Sequence, residues 1–255
     1  MSYQVWLIAR RSVVRTFRQP GVWIPPLTFP LMLMAVNSNG LRAATHLPGF
    51  PTRSFLAFFL PFSFLQGALF ASGIAGTDLA RDIDTGFLNR LALTPVRGAA
   101  LLLGQIGGVV GLGALQAVLY LAVGLAFGVH IVAGVGGALL ILVLAVLIAA
   151  AWGTVGLWLA LKTGSSEGVQ SQFPLLFFAT FISSMNLPRN LIEVTWFRDV
   201  ATANPVSYMI EGLRSLVIEG WNAQALVLGF GFTFSMLAGA MLLATRQLKV
   251  RMTRT

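Results

Sequence analysis

The chain has no cysteine, so it forms no disulfide and offers no thiolate to a metal, and its redox compartment leaves no trace in the composition. It has two histidines, His46 and His130, with no carboxylate or second histidine beside either to share a metal. Charge is scarce: eight acidic residues, and charged residues of both signs at only 10%, where soluble domains carry about 25%. A GxxxxGK[ST] phosphate loop is also missing, and the glycine-rich runs lie inside apolar stretches that no nucleotide reaches. What is there instead is hydrophobic side chain, 56% of all residues, with a mean hydropathy of +0.82. That excludes a soluble fold. At about 20 apolar residues per crossing, 255 residues make about six spans with little chain left over. A pI near 11.4 would suggest nucleic acid in a soluble protein. Here the cations flank apolar stretches, which sets orientation in a bilayer and implies no nucleic-acid partner.

Residues 2–19 read as an amphipathic helix on the membrane surface. Trp6, Ala9, Val13 and Phe17 share one face and Gln4, Arg11, Arg15 and Arg18 the other, while Arg10 falls on the apolar side and has to snorkel. No cleavable signal is evident, because the first apolar stretch begins only after Pro20-Gly21 and no small-residue cleavage pattern follows it. Six uncharged apolar segments follow, about 22–36, 55–76, 99–127, 131–161, 169–185 and 223–245. The first is expected to start at Pro25-Pro26 and kink at Pro30. Gly128-Val129-His130 marks the hairpin that divides the long uncharged run into two spans.

Orientation follows from the basic residues. Twelve of the 17 Lys and Arg fall in alternate connections: Arg10, Arg11, Arg15 and Arg18, then Arg81, Arg90 and Arg97, then Lys162, then Arg246, Lys249, Arg251 and Arg254. Five fall in the others: Arg42, Arg53, Arg189, Arg198 and Arg214. The expectation is an all-α integral membrane protein with six transmembrane helices and both termini in the cytoplasm.

Two connections stand out. Residues 78–97 are the most charged stretch, yet Phe87, Leu88 and Leu91 fall on one helical face before Thr94-Pro95 stops the helix. Two readings stand: a short amphipathic helix offered to a partner, or a solvated loop whose apolar residues touch lipid headgroups. The external connection 186–222 is too polar to span and too apolar for a plain loop, and Asn204-Pro205 marks a helix start inside it. Helices packed on the outer mouth of the bundle fit it best. Glu211 and Arg214, three apart, are expected to pair, either as a structural ion pair or as part of a gate.

DIDTGFLNRLALTPV followed much later by NPVSYMIEGLR resembles the paired signatures of the type-2 permease family of ATP-binding-cassette (ABC) exporters, which move antibiotics, nodulation factors and surface polysaccharides. The likeness runs over nearly the whole chain and implies a single permease domain, residues 1–255, with interfacial helix 2–19, coupling-helix loop 78–97 between spans 2 and 3, and external helical segment 186–222 before span 6. It implies that Asp82, Asp84, Thr85, Gly86, Phe87, Arg90, Leu91, Thr94 and Pro95 form the contact with a separate ABC ATPase subunit, which binds ATP and Mg. The chain itself then holds no cofactor and is no enzyme. Asn204, Pro205, Tyr208, Glu211 and Arg214 correspond to an external gate or motif. A second permease copy, identical or related, completes the pathway.

Two features carry alternatives. Gly104, Gly107, Gly108 and Gly111 allow close helix approach, within the chain or at a dimer seam. The Phe-rich second span, with Phe59, Phe62 and Gln66, reads either as a surface for an amphipathic substrate or as lipid contact and packing. The preference for arginine, fifteen against two lysines, points to a GC-rich bacterial genome and hence a bacterial plasma membrane. A secondary carrier or channel is the competing class, but such carriers need an ionisable group inside the bilayer and no span contains one. An integral membrane lipid enzyme would need clustered His, Asp or Cys at the interface, which the sequence does not offer.

Overall fold

The computed structural model describes the backbone of residues 2–86, 90 and 98–252, and the side chains of 6–86, 90 and 101–251. Its helices are α1 (Ser2–Phe17), α2 (Pro20–Gly40), α3 (Phe55–Asp84), α4 (Gly98–Ala126), α5 (Gly134–Thr163), α6 (Ser166–Phe181), α7 (Thr195–Ala203), α8 (Pro205–Arg214) and α9 (Ala223–Met252). There is no strand among the described residues. Short 3-10 turns lie at Arg42–His46 and Arg189–Leu191, and one π turn, Ser215–Glu219, follows α8.

The breaks follow local chemistry. Ser54 and Ser165 cap α3 and α6 by accepting from the N–H groups of Ala57 and Gly168. Gly164 ends α5 with a φ of +81°, and Gly128, with a φ of +87°, turns the hairpin where the sequence places it. α2 starts five residues before the expected tandem prolines, at Pro20, where a missing N–H costs nothing at the first helical position.

Among the described residues five helices, α2, α3, α4, α5 and α9, are long and apolar enough to cross a membrane. The fifth expected span is represented by α6, whose 16 residues rise about 24 Å, short of the ~30 Å hydrocarbon core. It ends at Phe181, where the chain turns to Ser183 and Ser184, both buried.

α3 is the axis of the bundle and packs on α2, α4, α5, α6 and α8. Its closest crossing is with α5: a Cβ on Gly156 would collide with the Ser72 carbonyl, and one on Gly76 would sit 2.9 Å from the Gly156 carbonyl. At one end of the bundle lie α1, the joined ends of α3 and α4, and the C-termini of α5 and α9, where the Arg251 Nε donates to the Leu161 carbonyl. The opposite end holds the α4–α5 hairpin, whose Val132 and Ala133 N–H groups donate to the carbonyls of Val217 and Leu216 in the π turn.

α1 is more than a surface helix. Its Ile8, Ala9, Ser12 and Val13 seat on Gly104, Gly107, Gly108 and Gly111 of α4, so the glycine stripe serves packing within the chain. Arg11 and Arg15, expected to face solvent, turn inward to α3 instead. Trp6 and Phe17 stay exposed, and the Arg10 guanidinium lies over the Trp6 ring, 5.6 Å from its centre.

Candidate functional site

Three places concentrate the residues that the sequence singles out. The first is the C-terminal end of α3. Asp82 is buried and its carboxylate accepts four hydrogen bonds: from Arg11 at 3.3 and 3.2 Å, from Arg15 at 3.0 Å and from the Gln105 amide at 3.1 Å. Arg15 also reaches Asp78 at 3.3 Å. Asp82 therefore does not face outward toward an ATPase as expected, because two arginines of α1 and an amide of α4 occupy its oxygens. Asp84, Thr85 and Arg90 are exposed. Thr85 caps α3 by donating its hydroxyl to the Arg81 carbonyl, Gly86 turns the chain with a φ of +67°, and the Arg90 N–H donates to the Gly86 carbonyl. Phe87, Leu91, Thr94 and Pro95 lie outside the described residues.

The second is the segment after α6. Asn204 joins two helix ends: its Oδ1 accepts from the Val206 N–H as the N-cap of α8, with Pro205 at the first helical position, and its amide donates to the Ala179 and Ile182 carbonyls at the end of α6. The Tyr208 hydroxyl donates to the Thr202 carbonyl in the last turn of α7. Glu211 and Arg214 do not pair with each other. Glu211 binds Arg189, whose guanidinium also stacks 4.5 Å from the centre of the Tyr208 ring. Arg214 is 4% exposed and donates to three backbone carbonyls: Phe58 at 3.1 Å, Ser184 at 3.0 Å and Met185 at 3.2 Å. Burial pushes its pKa down to about 9, against the pull of Glu211 and Glu219, which leaves it charged at neutral pH. A polar pocket of about 500 Å³ opens beside it, lined in part by Arg189, Tyr208, Glu211 and Glu219.

The third is aromatic. Phe59, Phe62 and Gln66 are each 1% exposed, so they are core and form no open surface. Among the described residues, both amide atoms of Gln66 lack a hydrogen-bond partner. The open aromatic surface is elsewhere, a groove of about 640 Å³ lined by Pro25 and Phe29 of α2, Phe70 of α3, and Phe173, Pro174, Phe177 and Phe178 of α6. Phe70 anchors it, with ring centres 5.6 Å from Phe29, 5.6 Å from Phe173 and 6.2 Å from Phe177. The sequence signal missed there is the run of Phe at i and i+4 in α6, which puts Phe173, Phe177 and Phe181 on one stripe. Among the described residues no group of three acidic or histidine side chains could hold a metal.

These features define an all-helical, multi-pass membrane protein whose polar clusters sit at the two ends of its bundle. The sequence model of the ABC-2 type transporter family matches residues 3–218, most of the chain, and the chain belongs to that family. It is the permease component of an ABC-type transporter, the membrane part of an assembly whose ATPase cassette lies elsewhere. A search of curated proteins finds no match.

Proposed function

We propose that this permease exports a hydrophobic or amphipathic compound, a drug, a lipid-like molecule or a glycolipid, driven by ATP that a separate subunit binds with Mg and hydrolyses. The observation that carries the choice of cargo is the aromatic groove: Phe and Pro side chains from α2, α3 and α6 offer apolar surface and no polar group to a polymeric sugar. It opens sideways on one copy, so a second permease, identical or related, would close it into a path. The ATPase contact is assigned to Asp84, Thr85, Gly86 and Arg90 together with Phe87, Leu91, Thr94 and Pro95, while Asp82 holds that segment to the bundle from within. Arg10, Arg11, Arg15, Arg18, Arg81, Lys162, Arg246, Lys249 and Arg251 belong to the same end, which supports cytoplasmic termini and six passes, α6 being the short fifth. The setting is a bacterial plasma membrane. Asn204, Pro205, Tyr208, Glu211 and Arg214 then form the outer gate.

The test is reconstitution with an ABC ATPase subunit in inside-out vesicles. ATP should drive uptake of a short-chain fluorescent phospholipid, Arg90→Cys should cross-link to the ATPase, and Arg90→Ala should lower ATP turnover. Cross-linking without uptake would remove the proposed cargo. A loop 85–97 found on the outer face would end the whole reading.

A further inference from the structure

The middle of α2 holds a backbone defect that another helix repairs. Proline lacks an N–H, so Pro30 leaves the Pro26 carbonyl without its helical donor. Both residues are buried at the depth of a membrane span, where water cannot supply a substitute. The donor comes from α4: the Tyr120 hydroxyl donates to the Pro26 carbonyl at 2.8 Å, and the Gln116 amide adds a longer bond at 3.4 Å. Tyr120 is fully buried and Gln116 nearly so. They reach α2 past α3 because residue 67 is glycine, where a Cβ would stand 3.0 Å from both Gln116 Oε1 and Tyr120 Cε2. One turn of α2 around this defect carries Pro25 and Phe29, the α2 wall of the aromatic groove, with Phe29 packed edge-on against Phe70.

We propose that Tyr120, seconded by Gln116, is a positioning residue that holds the proline-broken turn of α2 and so fixes the wall of the aromatic groove. A helix broken by proline bends easily at the break. The hydroxyl 2.8 Å away selects one of the arrangements that the break allows. Aromatic packing alone would leave α2 free to tilt from Phe70 and widen the groove. The positioning role stands whatever the groove holds; only its consequence for transport rests on the reading of the groove as the substrate path.

The absence of native cysteine makes the test direct. In the full chain in nanodiscs, Phe29→Cys carries a bimane fluorophore and Phe70→Trp a contact quencher. Strong quenching is expected in this parent. Tyr120→Phe removes one oxygen and no volume, and should shift the turn about tenfold toward its loosened form, with quenching lost in proportion. Pro30→Ala restores an N–H four residues after Pro26, so adding it to Tyr120→Phe should bring the quenching back. A rescue of this kind does not follow from general loss of packing. An unquenched parent, a Tyr120→Phe protein quenched like the parent, or a loss that Pro30→Ala leaves unrepaired would each overturn the proposal. A separate measurement with the ATPase subunit follows ATP hydrolysis stimulated by a short-chain fluorescent phospholipid. If Tyr120→Phe alters quenching but not the concentration dependence of that stimulation, the turn is held as proposed and the groove is not the substrate path.

Discussion

Removing the charge of Asp82 should release α1 from the bundle. Four hydrogen bonds converge on this carboxylate, which is only 6% exposed. Asparagine has nearly the same shape but turns one acceptor oxygen into a donor, which then faces Gln105 or an arginine. A charge-assisted bond contributes about 1.5–3 kcal/mol. The arginines retain water, with Arg11 at 43% and Arg15 at 23% exposure, so the total stays well below the sum of four bonds, at about 2–3 kcal/mol. That corresponds to a roughly 30- to 150-fold larger fraction of molecules with α1 undocked. Thr16 is the reporter, because it is buried on the α1 face toward α4. In the cysteine-free chain, maleimide should label Thr16→Cys faster by that factor when Asp82→Asn is added. Asp84→Asn, on the exposed end of the same helix, should leave the rate unchanged. The reasoning fails if Asp82→Asn leaves Thr16→Cys as protected as before. It fails equally if labelling at Leu144→Cys, buried in α5, rises in parallel, since the whole bundle would then have loosened.

Further outcomes follow from other contacts in the bundle. Gly156→Ala drives a methyl into the Ser72 carbonyl and should cost about 3 kcal/mol, read as a lower melting temperature in detergent; Gly239→Ala, on a helix face with nothing near its Cβ, should match the parent or gain up to about 1 kcal/mol in helix propensity. Arg214→Lys keeps the charge but cannot serve three carbonyls with one ammonium, and should lose about 2–3 kcal/mol. Because burial lowers Arg214 to about 9, both folded and unfolded forms hold its proton below that pH. The stability gap between the parent and Arg214→Met should therefore be flat from about pH 6 to 8 in a pH series of melting curves.

The elements legible in the sequence are those set by local chemistry. Gly128 turning the hairpin, Asn204-Pro205 starting a helix, and long uncharged runs forming helices all depend on a few neighbouring residues. What the sequence misplaced depends on which element faces which. Glu211 and Arg214 are one helical turn apart, so pairing them is the natural local solution. Arg189 takes the glutamate from across the segment, and backbone carbonyls from two other elements take the arginine. The Phe-rich second span followed the same pattern: its rings other than Phe70 turned inward because α3 is surrounded, a matter of position in the bundle that composition does not carry. One tertiary contact was there to be read. Arg11 and Arg15 are four apart on α1, Asp78 and Asp82 are four apart on α3, and two such stripes of opposite sign fit each other along one face.

α3 is held along its whole length. Asp82 fastens it to α1 and α4 at one end, the Ser72 backbone meets α5 in the middle, and the Phe58 carbonyl holds Arg214 at the other, about 36 Å away at helical rise. Bending α3 would break contacts at more than one of these points, so a push on the end around Asp84 and Arg90, the ATPase contact proposed above, would move α1, α3, α4, α5 and α8 together. α2 is tied less firmly: it is among the least covered of the long helices, and its polar tie to α4 is the pair of bonds to one carbonyl. α6 is short and fastened at its far end through Asn204. These two helices are the flanks of the aromatic groove, with Phe70 of the rigid helix at its back. Displacing a stiff block between two looser walls changes the width of a groove without unfolding anything, which is the mechanical requirement of a permease moved by another subunit's ATP.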